Sequence, residues 1–140
     1  MDNETGWCLV PIDQVEDSRG KITIVEKGKP FDFDIKRIFY LSNISPGQLR
    51  GFHSHKELKQ LIICVKGSFK IKLINHKVTK VINMVETGEA LLLDGPVWRE
   101  MGDFSPDAVM LVLCDRVYDE DIVIRDYAEF LKNIREQYAS

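Results

Sequence analysis

Residues 50–67, RGFHSHKELKQLIICVKG, place two histidines on one predicted β-strand. Successive side chains of a strand point to opposite faces, so His53 and His55 project together while Ser54 points away. The apolar, β-branched run at 61–65 predicts a buried strand that follows them. We therefore expect the histidine pair to face the interior of a β structure.

The composition predicts one folded domain over residues 1–140. The chain has 140 residues, of which 44% are apolar, which is enough for a hydrophobic core and unlike a disordered segment. Nineteen basic residues stand against 22 acidic ones, a net charge of −3. No basic excess is present to meet the phosphates of a nucleic acid, so we expect no nucleic-acid partner. A few arginines can still bind one small anionic ligand.

The cysteines and the N-terminal segment indicate a cytoplasmic protein. Cys8, Cys64 and Cys114 are odd in number and widely spaced, which favours reduced thiols over a disulfide framework. Residues 1–7, MDNETGW, lack the apolar stretch of a signal peptide. Since no apolar run approaches the ~20 residues that span a bilayer, we expect no membrane association.

Short strands separated by turn signals occupy most of the chain. Strands are predicted at 7–12, 21–26, 34–44, around the histidines, and at 61–65, 69–74, 78–84, 90–94 and 108–114, with turns at 17–20, 27–30, 45–47, 87–89 and 95–96. This regular spacing is typical of an all-β sandwich or barrel. From residue 119 onward the apolar residues follow helical spacing, which predicts one or two C-terminal helices. Those residues are Val123, Tyr127, Phe130, Leu131, Ile134 and Tyr138.

The spacing around the histidines resembles the first signature of the cupin barrel. The pattern H-x-H-x4-E-x6-G is matched by His53, His55, Gln60 and Gly67, with Gln60 where a metal-binding cupin usually has glutamate. The resemblance implies a small single-domain cupin (jelly-roll) barrel with a C-terminal helix or helices. A cupin metal site also takes a third histidine from a second motif, and here Met101 stands at that position. Two imidazoles and an amide are poor ligands for Zn²⁺ or Fe²⁺. We therefore expect no metal and no cofactor, which disfavours a metal-dependent oxygenase.

Without a metal, two histidines inside a barrel suit proton transfer near neutral pH. The alternative is a pair of structural histidines in the core, which their common strand face and the cupin pattern disfavour. Arg37 and Arg99 lie in the apolar and aromatic segments IKRIFY and PVWREM. A guanidinium in such surroundings calls for an anionic partner, and a diphosphate suits its geometry.

Aromatic residues beside these arginines have two interpretations. Trp98, Phe39, Tyr40 and Phe52 could offer a stacking surface to a nucleotide base, or could pack in the core. The remaining arginines Arg116, Arg125 and Arg135 are interpreted as solvated surface.

Five segments together narrow the resemblance: DSRG at 17–20, KRIFY at 36–40, RGFHSHKELKQ at 50–60, GPVWREM at 95–101 and YDEDIVIRDYAEF at 118–130. In this order and spacing they resemble the sugar 3,4-ketoisomerases that act on dTDP-4-keto-6-deoxy-D-glucose, over about residues 9–131. The resemblance implies a metal-free homodimeric cupin enzyme. Its product would be a dTDP-3-keto-6-deoxyhexose for an aminotransferase, on the way to the 3-amino-3,6-dideoxyhexoses of surface polysaccharides such as the O-antigen of lipopolysaccharide.

The resemblance also implies roles for individual residues. Arg19 occupies the turn that reaches the substrate, and Arg50 corresponds to a pyrophosphate-binding arginine. Arg19 and Arg99 together mix the two family patterns that accompany the galacto or gluco configuration at C4, so no configuration is predicted. Phe39 replaces a frequent tyrosine. The predicted site comprises His53 and His55 as catalytic residues and Arg19, Arg37, Phe39, Arg50, Trp98 and Arg99 as substrate-binding residues.

The implied reaction removes the C3 proton of the substrate, passes through an enediol(ate) and returns a proton to C4. Two alternatives remain open. A 3,5-epimerase would share the fold and substrate but typically pairs one histidine with an aspartate and a tyrosine. A non-catalytic cupin would bind dTDP-sugars without turnover. The histidine pair and the WREM segment favour the ketoisomerase.

Overall fold

The computed structural model describes residues 5–86 and 89–138. The elements in chain order are β1 (Trp7–Pro11), β2 (Asp13–Asp17), β3 (Gly20–Ile24), β4 (Glu26–Lys27), β5 (Pro30–Phe31), β6 (Arg37–Leu41), β7 (Arg50–His55), β8 (Lys59–Lys66), β9 (Ser68–Ile74), β10 (Thr79–Val85), β11 (Glu89–Asp94), β12 (Trp98–Gly102), β13 (Val109–Cys114), a 3₁₀ turn (Glu120–Ile122), β14 (Val123–Ile124) and α1 (Tyr127–Tyr138). The predicted all-β architecture with a C-terminal helix is confirmed.

Two five-stranded antiparallel sheets form the body of the molecule. The first has the order β1-β11-β8-β13-β6 and the second the order β10-β9-β12-β7-β14. Their inward side chains share one hydrophobic core, in which Ile62 and Leu91 of the first sheet accompany Phe69 and Ile71 of the second. Apart from the hairpin of β9 and β10, neighbouring strands in each sheet are not consecutive in the chain, as in a jelly roll. The histidine strand β7 lies between β12 and β14, near one edge of the second sheet.

A second apolar layer covers the outer face of the first sheet. Ile12, Phe31 and Phe33 pack there against outward side chains of β8 and β13, such as Ile63 and Leu113. These strands are therefore buried on both faces, and continuous apolar runs rather than alternating patterns result.

The C-terminal helix covers the outer face of the second sheet. Phe130 and Ile134 of α1 pack against Ile74, Trp98 and Ile124. The helical spacing predicted from residue 119 holds only from Tyr127 onward. Residues 120–122 form a 3₁₀ turn, and the next two residues pair with β7.

Two of the five-residue strands, β2 and β12, escaped prediction for opposite reasons. The charged segment β2 is exposed along its whole length, so it shows no apolar alternation. In strand β12, side chains on both faces are buried or half-buried, so its sequence shows no alternation of polar and apolar residues. The predicted strand at 34–44 is shorter and spans Arg37–Leu41. Residues 87 and 88 of the predicted turn at 87–89 lie outside the described residues.

The three thiols Cys8, Cys64 and Cys114 are free. Within the described ranges, no helix has the length and apolar character needed to cross a membrane.

Candidate active site

A β-bulge in β7 arranges the inward side chains of the site. The register pairs Arg99 of β12 with His53, and the next residue, Glu100, with Gly51. Phe52 is therefore an extra residue on β7, and both it and Gly51 have positive φ, 56° and 87°. A Cβ on Gly51 would lie 2.9 Å from the carbonyl oxygen of Arg99, so only glycine fits this turn of the strand.

The two histidines lie together, as predicted, with ring centroids 4.8 Å apart and ring planes at 88°. His53 lines a cavity of about 110 Å³ between the two sheets, whereas His55 does not line it. Polar or aromatic lining is provided by Phe39, Arg50, His53, Gln60 and Arg99, and the apolar floor includes Ile62, Met101, Met110 and Val112. This volume is below the ~300–1,000 Å³ usual for a site that encloses a whole ligand, so the cavity has room for only part of a larger ligand.

Larger cavities of about 250 and 400 Å³ lie along the β2–β3 hairpin. Neither is lined by a histidine or an arginine other than Arg19. Size therefore does not identify the site, and the chemistry of the lining does.

Arg99 is a buried cation without a carboxylate partner among the described residues. Its side chain is 3% exposed, and Nη1 donates to the Gln60 side-chain oxygen while Nη2 donates weakly to the Val97 carbonyl at 3.4 Å. Its Nε has no partner. Burial lowers the pKa of Arg99 to about 10, so the guanidinium is still charged at neutral pH. A buried uncompensated cation calls for an anion.

Both histidines are neutral at pH 7. Burial, followed by the charge of Arg99, lowers the pKa of His53 to about 4. The same two causes lower the pKa of His55 to about 2, with further contributions from His53, Arg125 and Arg37. The sequence favoured proton transfer by histidines near neutral pH, whereas burial, followed by the arginine charges, lowers both pKa values well below that range.

The residues at the cupin metal position do not fit a metal. The Gln60 oxygen accepts from Arg99, Met101 belongs to the hydrophobic core, and the adjacent guanidinium repels a divalent cation. Across residues 5–86 and 89–138, no three His, Cys, Asp or Glu side chains are grouped to hold a metal ion.

The open side of the site carries further arginines. The Arg37 guanidinium lies 4.6 Å from the Phe39 ring centre and 5.1 Å from that of Tyr118. Arg125, which the sequence placed on the solvated surface, follows β14 and lowers the pKa of both histidines. Its guanidinium pairs with Glu120, which also accepts from the Tyr118 hydroxyl. The sequence signal for Arg125 was its place in the YDEDIVIRDYAEF segment.

Two predicted binding residues lie elsewhere. Trp98 is 3% exposed and points away from the cavity, where its ring meets Tyr127 and Phe130 of α1 at 5.2 and 5.7 Å. Of the two interpretations given for Trp98, the structure supports packing in the core, and Trp98 does not line this cavity, because alternation along β12 directs Arg99 inward and Trp98 toward the helix. Arg19 lies on the β2–β3 hairpin, exposed and paired with Asp17 at 2.6 Å, and does not line the cavity.

Comparison with known proteins gives a family for this geometry. The family model described as "FdtA: WxcM-like, C-terminal" matches residues 5–135. This chain belongs to the FdtA family. A curated relative, the TDP-4-oxo-6-deoxy-alpha-D-glucose-3,4-oxoisomerase of Aneurinibacillus thermoaerophilus, is 36% identical over 126 residues, which cover 90% of this chain and 91% of that protein.

Two solved structures of 3,4-ketoisomerases extend the FdtA-family likeness to the fold. A histidine-to-asparagine mutant of QdtA from Thermoanaerobacterium thermosaccharolyticum, in complex with TDP-4-keto-6-deoxyglucose, superposes with a TM-score of 0.90 at 34% identity, covering 96% of this chain and 98% of that one. A 3,4-ketoisomerase from Helicobacter canadensis gives a TM-score of 0.87 at 37% identity, covering 92% and 97%. The predicted resemblance to the 3,4-ketoisomerases is thereby confirmed.

Proposed function

We propose that this protein is a sugar-nucleotide 3,4-ketoisomerase that converts dTDP-4-keto-6-deoxy-D-glucose to a dTDP-3-keto-6-deoxyhexose. The observation that carries the proposal is a neutral histidine at a cavity that also holds a buried, unpaired arginine. The neutral histidine can accept the proton from the C–H bond that breaks, and the arginine can stabilise the oxygen on which negative charge develops. Two relatives that match this chain over more than 90% of their own length are named a 3,4-oxoisomerase and a 3,4-ketoisomerase.

His53 is the proposed base, since it lines the cavity and His55 does not. It takes the C3 proton, which the C4 ketone acidifies, and the electrons of the C3–H bond form the C3=C4 bond of an enediolate. A proton moves from the C3 hydroxyl to the C4 oxygen, with the histidine pair as the adjacent relay. The imidazolium then returns a proton to C4, and the double bond to oxygen re-forms at C3.

The low histidine pKa values fit this sequence because the charges change together. In the free site the arginines oppose an imidazolium. Once the enediolate forms, its negative charge compensates Arg99 and favours the protonated histidine. Proton transfer and charge stabilisation are thus linked, and no step leaves a second uncompensated cation in the cavity.

The arginines at the open side are proposed to hold the diphosphate. Arg50 lines the cavity with an exposed side chain, and Arg37 and Arg125 lie close enough to influence the histidine pKa values. Guanidinium groups match phosphate oxygens in charge and in bidentate geometry. Phe39, which also lines the cavity, brings no hydroxyl there, so any proton relay at this position uses water or another group.

We further propose that two copies of the chain form a homodimer through the β2–β3 hairpin. This hairpin is a separate two-stranded sheet, and its facing Val15 and Ile22 are 56% and 63% exposed. Two-stranded hairpins are marginal in water. Ile38 and Tyr40 on the edge strand β6 are similarly exposed, at 60% and 67%. A second copy would cover these apolar side chains, and Arg19 at the hairpin tip would then serve the cavity of the partner.

The product is a 3-ketone, which is the group that an aminotransferase converts to an amine. We therefore propose that this product is a precursor of the 3-amino-3,6-dideoxyhexoses of surface polysaccharides. We also propose that the enzyme works in the cytoplasm. Three free thiols fit a reducing compartment.

Proton NMR of the purified protein with dTDP-4-keto-6-deoxyglucose in D₂O tests the activity. We expect the carbonyl to move to C3 and deuterium to appear at C4, and the ring couplings of the product give its C4 configuration. Exchange at C3 and C5 with the ketone unmoved would instead identify a 3,5-epimerase. Saturable binding without exchange would identify a sugar-nucleotide-binding cupin.

A further inference from the structure

Gln60 is buried between Arg99 and Cys114 and lines the same cavity as His53. Its side-chain oxygen accepts from Arg99 Nη1, and its Nε2 donates to Cys114 Sγ at 3.4 Å. A guanidinium only donates, so the amide oxygen must face Arg99 and the amide nitrogen must face the thiol. The orientation of the amide is thereby fixed by its two neighbours.

Neither Gln60 nor Cys114 neutralises the positive charge of Arg99. A glutamine carries no charge, and burial raises the pKa of the Cys114 thiol, which is therefore uncharged at pH 7. The Val97 carbonyl, the other acceptor for Arg99, is also neutral. A glutamate of equal size at position 60 would accept the same hydrogen bond but would cancel the positive charge.

We propose that Gln60 is a positioning residue for the isomerisation, which anchors the Arg99 guanidinium beside His53 while leaving its full charge to the enediolate. This inference rests on the proposed function. It explains why an uncharged amide stands where the carboxylate of a metal-binding cupin would stand: the cation of this site is the arginine, and a carboxylate would pair with it.

Three variants separate the two parts of the proposal. Gln60→Glu keeps the acceptor and adds a charge. Gln60→Met has similar length and keeps neutrality but loses the hydrogen bond. Gln137→Glu makes the same charge change at an exposed position of α1 and serves as the control. Assays contain EDTA, because Gln60→Glu restores a carboxylate next to two histidines.

The enediolate exists only along the reaction path, so loss of its stabilisation lowers kcat rather than raising KM. For Gln60→Glu we expect kcat to fall about 100-fold with KM within about threefold of wild type. For Gln60→Met we expect kcat to fall about tenfold, because the guanidinium is no longer held in place. The control should stay within about twofold in both constants. Wild-type kcat in Gln60→Glu or in Gln60→Met would overturn the proposal.

Histidine titration by ¹H–¹⁵N NMR gives a readout that needs no turnover. Arg99, Arg125 and Arg37 are the charged groups that face the histidines. Gln60→Glu should raise the pKa of His53 by about one unit or more, whereas Gln60→Met, which adds no negative charge, should change it by less. Equal pKa values in wild type and Gln60→Glu would overturn the proposal. If wild type binds the substrate without isomerising it, the proposed function fails, and the pKa comparison still tests the charge balance at Gln60.

Discussion

Arg50 and His53 face the same cavity although three positions separate them on β7. In a regular strand, residues three apart point to opposite faces. The bulge at Phe52 shifts the alternation by one residue and brings both side chains to the inside. The arginine proposed to bind the diphosphate and the histidine proposed as the base are therefore placed together by backbone geometry.

Gly51→Ala should disrupt this arrangement. The added Cβ would sit at φ 87° and 2.9 Å from both the Arg99 carbonyl oxygen and Met101 Cε. We expect a loss of roughly 2–4 kcal/mol in the free energy of unfolding, together with reduced kcat, measured by urea denaturation and the NMR assay. Gly47→Ala is the control, because it has φ 77° with open space around it and should cost only about 1 kcal/mol. Equal losses in the two variants would contradict the steric account.

Replacement of both His53 and His55 should abolish turnover without unfolding the chain. In the single variants, His53→Asn should lower kcat by about 10²–10⁴-fold and more than His55→Asn does, because His53 lines the cavity. Circular dichroism provides the control for folding. Undiminished isomerisation in the double variant would remove the histidines from the mechanism.

The stability of the fold should depend on pH through the same two residues. The pKa of each histidine is lower in the folded state than its ordinary value of 6.5, so the unfolded chain binds protons more tightly between the two values. The contribution of the histidines to the free energy of unfolding is fully present above about pH 6.5. It falls as the pH decreases toward 4, by up to about 1.4 kcal/mol per pH unit for each histidine. Urea denaturation across this range measures the slope. The double His→Asn variant should have a shallower slope, and an unchanged slope would contradict the assignment.

Arg99→Met should separate stability from activity. The substitution removes a buried cation that has an unpaired Nε, so we expect the free energy of unfolding to stay level or rise by about 1–3 kcal/mol. The kcat should fall by about 100-fold or more, because the enediolate loses its cation. Arg116→Met, which removes an exposed ion pair with Glu57, should change stability by less than about 1 kcal/mol. Strong destabilisation by Arg99→Met would indicate a structural role instead.

Subunit mixing tests the role of Arg19. Arg19→Ala and His53→Asn should each be nearly inactive alone. If Arg19 serves the partner's cavity, their hybrid dimer contains one site with both residues intact, and mixing should restore about a quarter of wild-type activity. Each variant incubated alone is the control. If Arg19 acts on its own cavity, no hybrid site is complete and mixing restores nothing.

The sequence by itself determined the family, the all-β fold and the orientation of the histidine pair. The family followed from the resemblance of five segments, whereas the fold and the histidine orientation follow from local rules: the spacing H-x-H on a strand, apolar runs between turn residues, and helical periodicity near the end. His53, His55, Phe39 and Arg99 were identified from the residues and their surroundings, and Arg50 from the family resemblance; four of these five residues line the cavity.

Only the tertiary structure decided the partners and charges of these residues. Trp98 and Arg99 are adjacent in sequence, yet alternation on a strand covered by α1 sends one to the helix and the other to the cavity. Arg125 approaches the histidines because β14 pairs with β7. Burial and the neighbouring guanidinium groups set the histidine pKa values, and both depend on contacts between residues distant in the chain. A local sequence pattern does not show which charges and side chains from distant parts of the chain surround a residue. The low histidine pKa values and the Gln60–Arg99 hydrogen bond could therefore be recognised only in the folded structure.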